Sequence, residues 1–335
     1  MKKLTILFMT LLFSTLPFSS CAKDDDGKTT VKISEVTHSV FYAPLYLADA
    51  LGYFGEENIE IDLTNGGGAD NVMSAVLSGS ADVGFCGPEA ALYVLAGGST
   101  DAPKVFGQLT KRDGSFLVSR RNEPDFKWTD LKGKEILAGR KGGVPAMTFE
   151  YVLKNAGLAD GTDVTLNYDV AFNLMTGAFE AGTADYCTMF EPTASEYQAA
   201  GKGYIVASVG EASGEVPYTC FAAKESWLKN NETTAKGLLR AVTKAVKYTL
   251  ETDEKTIAAY LKKYFDGTSE AALAASVKSY KKIDAWVKNP AMTTDALNRL
   301  QDIISAAGEL PRRVTLGELT KNDYAESVYR EVFGA

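Results

Sequence analysis

The chain has 335 residues, of which 45% are hydrophobic and 23% charged, and its formal net charge at pH 7 is −8. This composition is that of an ordinary globular protein, and the length indicates about two domains. The acidic balance without a basic stripe excludes nucleic acid as an expected partner. His38 is the single histidine. A metal site with two histidine ligands, or a Ser-His or Cys-His dyad without His38, is therefore excluded, and we expect no metal and no cofactor.

The N-terminus has the layout of a secretory signal peptide. A positive segment at residues 1–3 precedes an apolar run over residues 4–16, which is too short to span a bilayer comfortably. Small residues then lead to Cys21, the position of the cysteine in a lipoprotein signal. We predict a signal peptide over residues 1–20, lipidation of Cys21, and export to the periplasmic or extracellular side of the cell membrane. The alternatives are an ordinary cleavage site beside a chance cysteine, or an uncleaved anchor.

The segment after this signal, residues 21–30, is polar and charged, which is typical of a flexible tether between the lipid and the fold. Once Cys21 is lipidated, Cys86, Cys187 and Cys220 remain, far apart in the chain. They allow at most one disulfide, and we expect them as small buried residues rather than as a framework or metal site.

Strand-like and helix-like segments alternate in the next part of the chain. The first predicted strands cover residues 31–36, 59–63 and 81–85, and the helices between and after them cover residues 42–54, 70–79 and a segment opening at 87–89. Asp70 is the predicted N-cap of the second helix. The order then restarts, with strands at residues 135–138, 164–168 and 184–189 and helices at residues 145–155 and 173–180. Such alternation favours an α/β fold with mainly parallel sheets flanked by helices.

A short repeat relates the two halves of this pattern. Residues 78–82 read Ser-Gly-Ser-Ala-Asp, and residues 181–185, which lie 103 positions later, read Ala-Gly-Thr-Ala-Asp. Each copy joins a predicted helix to a predicted strand. Two similar α/β lobes explain the match, and convergence of a common turn sequence is the alternative.

The region after Tyr218 differs, because its patterns predict only helices. These helices cover residues 232–252, 255–265, 269–288 and 294–307. A helical segment of this size is expected to pack back on the first lobe. We therefore predict a first lobe of residues 31–110 with 218–335 and a second lobe of residues 111–217.

The predicted ligand site lies beyond the carboxyl ends of the strands, where loops lead into helix N-termini. Free N–H groups there favour an acceptor or anion, aromatic side chains can form flat walls, and carboxylates can accept ligand N–H groups. The candidate ligand-binding residues are His38, Tyr42, Gly67, Gly68, Pro88, Glu89, Ser115, Gly142, Gly143, Thr148, Phe190, Glu191 and Tyr218. The alternatives are core positions for the aromatic residues, plain turns for the glycines, and first-turn helix charges for the carboxylates.

Several segments resemble a known family. Residues 38–48 and 51–54 resemble the opening of solute-binding proteins of the sulfonate, nitrate and thiamine-precursor superfamily (NMT1-type, SsuA/THI5-like). Residues 78–85, 142–151 and 190–193 are similar to further motifs of the same group. The resemblance covers roughly the whole mature chain. It implies a type II periplasmic-binding-protein fold with two lobes, a small-molecule ligand in the cleft between them, and a monomer that docks on the permease and ATPase of an ABC transporter.

The same superfamily has an enzyme branch, the fungal thiamine pyrimidine synthases. A lysine and a histidine of that branch fall on Cys86 and Ala90 here, and its cysteine-rich run is reduced to Cys220. We therefore expect a binding protein rather than an enzyme.

Two classes of ligand remain open. A sulfonate (an alkanesulfonate or taurine) or a nitrate would need positive charge, which Arg112, Arg140 and Lys141 could supply. A hydroxymethylpyrimidine-like thiamine precursor would need aromatic stacking and an acceptor for its amine. We favour the pyrimidine, because a carboxylate at Glu191 beside Phe190 would repel an anion. This preference depends on Glu191 facing the cleft.

Overall fold

The computed structural model describes residues 27–334. The predicted signal peptide, the lipidation site Cys21 and most of the predicted tether lie outside these residues. The first strand begins at Thr29, so the last two residues assigned to the tether, Thr29 and Thr30, belong to the fold. Residues 27–334 contain no helix with the length and apolarity that a membrane span requires.

The strands are short and distributed over the first two thirds of the chain. They are β1 (Thr29–Glu35), β2 (Ile59–Asn65), β3 (Val83–Cys86), β4 (Pro103–Thr110), β5 (Ser115–Ser119), β6 (Glu135–Leu137), β7 (Thr165–Leu166), β8 (Tyr186–Phe190), β9 (Tyr204–Ser208) and β10 (Thr219–Lys224).

Helices lie between the strands and make up most of the C-terminal part. They are α1 (Ala43–Ala50), α2 (Tyr53–Glu56), α3 (Ala69–Ser78), α4 (Pro88–Ala96), α5 (Val144–Asn155), α6 (Met175–Glu180), α7 (Thr193–Ala199), α8 (Val209–Ser213), α9 (Glu225–Asn230), α10 (Glu232–Glu251), α11 (Glu254–Leu261), α12 (Glu270–Lys282), α13 (Thr294–Ala306), α14 (Leu316–Leu319) and α15 (Asn322–Phe333).

Local signals explain two differences from the predicted helices. The single helix predicted over residues 42–54 is broken into α1 and α2, because Gly52 has a φ of +78°, outside the range of a right-handed helix. The N-cap of α3 is Gly68, and Asp70 lies in the first turn instead, where its charge still suits the helix dipole.

The strands form two five-stranded sheets of the same design. The first sheet has the order β2-β1-β3-β10-β4, and the second has the order β7-β6-β8-β5-β9. Each sheet has two parallel and two antiparallel pairings, so the prediction of mainly parallel sheets is corrected to mixed sheets. The physical cause is the crossing strand of each sheet. β10 enters the first sheet and β5 enters the second from the other lobe, and each runs against both of its neighbours.

The repeat seen in the sequence is also a structural repeat. Ile33 pairs with Leu63 and Val83 in the first sheet, and Ile136, 103 residues later, pairs with Leu166 and Tyr186, each also 103 residues later. The repeated aspartates act alike: the Asp82 carboxylate accepts from the Lys32 N–H, and the Asp185 carboxylate from the Glu135 N–H. Two lobes of common design therefore account for the match.

The chain passes from the first sheet to the second between Thr110 and Ser115 and returns between Ser208 and Thr219. The name first lobe refers to the predicted residues 31–110 with 218–335, and the name second lobe to the predicted residues 111–217. The C-terminal helices pack mainly on the first lobe, where α10 contacts α1 and α2 and α15 contacts β4. In addition, α12 contacts α7 and α13 contacts α5, so this segment also reaches the second lobe.

Candidate functional site

A cavity of about 170 Å³ lies between the two sheets, at the end where the strands lead into helix N-termini. It is comparable in size with an apolar cavity that holds one benzene ring. Loops of both lobes form its wall. The lining residues are Val36, Thr37, Tyr42, Gly67, Gly68, Ala69, Asp70, Asn71, Gly87, Glu89, Arg140, Gly143, Val144, Pro145, Ala171, Phe172, Asn173, Phe190, Tyr218 and Thr219.

Aromatic rings cover much of the cavity wall. The Phe190 ring of the second lobe lies 6.4 Å from the Tyr218 ring of the first lobe and 5.9 Å from the Phe172 ring, measured between centroids. Tyr42 is buried, with its ring 4.5 Å from that of Phe85 beneath it. These rings give a small planar molecule flat surfaces to pack against.

Glu89 places a carboxylate in this mainly apolar wall. Its side chain is 1% exposed, and Oε1 accepts a hydrogen bond of 3.2 Å from the Val144 N–H at the start of α5 in the opposite lobe. Oε2 has no hydrogen-bond partner among the described residues. Burial raises the pKa of Glu89 to about 7. The residues that line the cavity therefore include one buried carboxylate with an unpaired oxygen.

Tyr218 contributes a second buried polar group from the strand that returns to the first lobe. Its hydroxyl lies beside the Asp113 carboxylate but has no hydrogen-bond partner among the described residues. Burial raises the pKa of Asp113 to about 6. Because buried polar groups are almost always paired, the Glu89 carboxylate marks where a ligand can supply a missing partner, whereas the Tyr218 hydroxyl has the Asp113 carboxylate beside it.

The lobes are joined by direct contacts around the cavity. The Glu191 carbonyl accepts from the Val40 N–H and the Ser39 hydroxyl. At the opposite rim, the Tyr93 hydroxyl donates to the Gly142 carbonyl over 3.0 Å. Together with the bond from Val144 to Glu89, these contacts describe lobes that are closed over the cavity.

The cationic side chain in the wall already has an acidic neighbour. Arg140 Nε lies 3.5 Å from Asp70 Oδ1 across the cleft, and both side chains are largely exposed. An exposed pair of this kind contributes little stability. It leaves little uncompensated positive charge for an anionic ligand.

Comparison with known proteins identifies the family at this point. Residues 40–256 match the model of a family described as NMT1/THI5 like. The chain belongs to the NMT1/THI5-like family. The family resemblance predicted from the sequence is thus confirmed.

Two relatives of this NMT1/THI5-like chain and one solved structure of similar fold are informative. It is 40% identical over 312 residues to the putative binding protein YtlA of Bacillus subtilis, a match that covers 93% of each chain. It is 27% identical over 240 residues to the 4-amino-5-hydroxymethyl-2-methylpyrimidine phosphate synthase of Aspergillus parasiticus, covering 66% of this chain and 68% of that one. The periplasmic nitrate-binding protein NrtA of Synechocystis superimposes with a TM-score of 0.75 at 16% identity, covering 91% of this chain and 89% of the other. The last comparison confirms the predicted two-lobe periplasmic-binding-protein fold.

The structure brings seven of the thirteen candidate ligand residues to the cavity wall. These are Tyr42, Gly67, Gly68, Glu89, Gly143, Phe190 and Tyr218. Two more are immediate neighbours of the wall. Pro88 precedes Glu89 in the first turn of α4, and Gly142 turns its carbonyl toward Tyr93.

The remaining four candidates do not line the cavity. His38 is bonded to Glu35 and to the Tyr264 carbonyl, and Ser115 donates to the Asp113 carboxylate. Thr148 is buried in α5 away from the cavity wall. The fourth is Glu191, on which the predicted preference for a pyrimidine ligand depends.

Glu191 is not in the cavity wall, and its carboxylate serves α7 instead. It accepts from the Ser195 N–H at 2.9 Å and from the Ser195 hydroxyl at 2.7 Å, which caps the first turn of that helix. Because the Glu191 carboxylate does not line the cavity, its charge gives no reason to favour a pyrimidine over an anion. The buried carboxylate that faces the cavity is Glu89, in the other lobe.

Sequence reasoning missed Phe172 and Asn173, which line the cavity from the second lobe. A signal for them was present in the repeat. The glycine loop before α3, residues 66–70, corresponds at the offset of 103 to residues 169–173. The same offset, extended beyond the five-residue segment at residues 78–82, places this second loop opposite the first.

Proposed function

We propose that this chain is an exported, lipid-anchored solute-binding protein that delivers its ligand to an ABC transporter permease and ATPase. At the coarser level, it is a solute-binding protein of the SsuA/NrtA/THI5-like type. We propose as its ligand a small heteroaromatic compound with an amino group, such as a hydroxymethylpyrimidine-like thiamine precursor.

The observation that carries this proposal is the composition of the cavity wall. Phe172, Phe190 and Tyr218 offer flat apolar surfaces, and Glu89 offers a buried acceptor without a partner. A planar heterocycle can stack on the rings while its amino group donates to the carboxylate. The putative binding protein YtlA, similar over nearly the full length, supports binding rather than catalysis.

The second candidate class of ligand is an alkanesulfonate or nitrate, and Arg140 in the wall favours it. Glu89 opposes it. A carboxylate in a buried, poorly solvated position repels an anion strongly, and Arg140 is already paired with Asp70. The charges of the wall therefore favour a neutral or cationic ligand.

The third candidate function is synthesis of the thiamine pyrimidine, the activity in the name of the fungal relatives. Cys86, on which the lysine of the enzyme branch falls, is a buried thiol here, and burial raises its pKa. A neutral thiol cannot replace the amine of a lysine. The ring of a histidine is also missing at Ala90, so binding remains the proposal.

A thermal-shift screen of the purified chain tests the ligand class. A ligand that binds the native state raises the melting temperature, and the stabilisation grows with the logarithm of the ratio of its concentration to its dissociation constant. We expect a shift with 4-amino-5-hydroxymethyl-2-methylpyrimidine and none with nitrate or taurine. A shift with nitrate or a sulfonate but with no pyrimidine would reject the proposed ligand. Formation of the pyrimidine phosphate by the isolated chain would support the enzyme instead.

The proposed anchor is tested separately by Cys21→Ser. This variant should appear in the soluble extracytoplasmic fraction, because acyl chains on Cys21 supply the membrane affinity. Ligand affinity should be unchanged, since the cavity is built from residues far along the chain. A variant that stays with the membrane would contradict lipidation at this position.

A further inference from the structure

We propose that Glu89 is the residue that selects an N–H donor on the ligand, and that ligand capture expels a proton from this carboxyl group. The inference rests on the proposed function, because it names the chemistry that the ligand must present to the cavity. The affinity of the closed cleft for its ligand then depends on pH and on the Glu89 side chain.

The position of the Glu89 carboxylate is fixed on two sides. Oε1 is held by the Val144 N–H of the opposite lobe. On the other side, Gly87 leaves the space that the carboxylate occupies: a Cβ at this position would lie 2.0 Å from Glu89 Oε2. Gly87 has a φ of −63°, which any residue can adopt. The glycine is therefore needed here because it has no side chain, and not because of its backbone conformation.

The surroundings of Glu89 compensate its charge only in part, because the Val144 N–H and the charge of Arg140 oppose the effect of burial. The titratable groups that face it are Arg140 from the second lobe and Tyr42, Tyr93, Tyr218, Cys86 and Cys220 from the first. Arg140 is the cation in this set. It pairs with Asp70, and Glu89 has no ion pair among the described residues. Oε2 therefore lacks a donor, and a ligand N–H can supply it.

The same geometry couples ligand binding to proton release. With burial raising its pKa to about 7, the free carboxyl is about half protonated at pH 7. A ligand N–H that donates to Oε2 stabilises the carboxylate form and so lowers this pKa. Binding must then release about half a proton at pH 7, and affinity must rise with pH until it levels off above the pKa of the free protein.

The ligand class follows from this acceptor. An amino group beside a ring nitrogen, as in an aminopyrimidine, presents an N–H to the carboxylate, whereas a ring carbonyl at the same place presents a repelling oxygen. Nitrate presents only acceptors. We therefore expect the site to distinguish an amino heterocycle from its oxo analogue.

The test is calorimetry at pH 7 in two buffers of different ionisation enthalpy, with 4-amino-5-hydroxymethyl-2-methylpyrimidine as the probe. The unchanged chain should release about half a proton per ligand bound. Glu89→Gln keeps an oxygen for Val144 but turns an NH₂ toward the ligand. It should release none and bind the probe about 10- to 100-fold more weakly. The same variant should bind the 4-oxo analogue better than the unchanged chain does.

Two matched variants separate position from charge. Gly87→Ala keeps the carboxylate but displaces it. This variant should therefore bind the probe more weakly and lose the preference for the amino over the oxo compound. Glu191→Gln removes a carboxylate that serves α7, so it should leave both preference and proton release unchanged. Equal effects of Glu89→Gln and Glu191→Gln would overturn the inference.

The outcomes distinguish this inference from the proposed function. Probe binding without proton release, and unaffected by Glu89→Gln, would leave the function standing and reject the inference. Failure of the probe to bind would reject the ligand class. The ligand-free protein then supplies an independent readout. As the pH rises from about 4.5 to about 7, the unchanged chain should lose thermal stability relative to Glu89→Gln, because the carboxyl loses its proton more readily in the unfolded chain. A difference that does not vary with pH would reject the inference whichever ligand binds.

Discussion

His38 lies at the end of β1 with both ring nitrogens facing oxygen acceptors. Nδ1 is 2.8 Å from Glu35 Oε1, and Nε2 is 2.8 Å from the Tyr264 carbonyl oxygen. A neutral imidazole donates from only one nitrogen, so this arrangement suits the imidazolium. The hydrogen bond to Glu35 raises the pKa of His38 above its ordinary value of 6.5. The single histidine thus ties the loop after β1 to the C-terminal helices.

This arrangement predicts a pH-dependent contribution of His38 to stability. It is fully present below pH 6.5, the pKa in the unfolded chain, and is lost as the pH rises through the higher pKa of the folded state. The unchanged chain should therefore lose stability relative to His38→Gln as the pH is raised over this interval. Because there is one histidine, its ring-proton NMR signal gives the pKa directly. A midpoint at or below 6.5 would contradict the geometry.

At the scale of elements, the antiparallel pairing of β3 with β10 attaches the strand that returns from the second lobe to the parallel part of the first sheet. Its register sets Phe221 against Phe85, with their rings stacked 4.5 Å apart, and sets Cys220 directly against Cys86. The sequence allowed three pairings of its internal cysteines, and this register allows one. Cys187 lies in the second lobe, on β8.

Oxidation provides a test of this register. Cα atoms of directly opposed residues on antiparallel strands are about 4.5–5.5 Å apart, within the range of about 4.4–6.8 Å that a disulfide spans. Both thiols are buried, and burial raises both pKa values, so reaction should be slow in the native state. Refolding with oxidised glutathione should link Cys86 to Cys220 and leave Cys187 free, as peptide mass mapping would show. A bond to Cys187 would be incompatible with the observed pairing.

At the scale of the whole molecule, polar contacts join the lobes at the rims of the cavity, beside the packing of Phe41 on Phe190 and the contacts of α12 and α13 with the second lobe. Tyr93 donates to the Gly142 carbonyl at one rim, while the Glu191 carbonyl accepts from Ser39 and Val40 at the other. Bonds that exist only when the lobes are together stabilise the closed form by their own free energy. A ligand that fills the cavity and binds the closed form more tightly than the open form stabilises the closed form further.

Tyr93→Phe measures the contribution of one such bond. It should weaken ligand binding by about 2- to 10-fold, the effect of about 0.5–1.5 kcal/mol for one hydrogen bond. It should also increase the radius of gyration in small-angle scattering, because the open form gains population. Tyr324→Phe is the matched control, since it removes a hydroxyl that donates to the Leu228 carbonyl within the first lobe. Equal losses of affinity in both variants would argue against a role for Tyr93 in closure.

Much of this molecule follows from local sequence signals. The alternation of strands and helices, the glycine loops before α3 and α5, and the repeat at an offset of 103 are short-range patterns. They predict two similar lobes with a cleft between them. They also identify Tyr42, Glu89, Phe190 and Tyr218 as candidates, because residues just after a strand or at a helix start face the ends of the sheets.

Two features were decided only by the tertiary structure. The first is the mixed direction of the sheets, because the insertion of β10 and β5 depends on strands far apart in the sequence. The second is which carboxylate faces the cavity. Glu191 corresponds by the repeat to Pro88, and Glu89 to Pro192, so the two carboxylates differ by one position at their helix starts. That single step turns Glu191 onto Ser195 of its own helix and leaves Glu89 buried opposite Val144 of the other lobe.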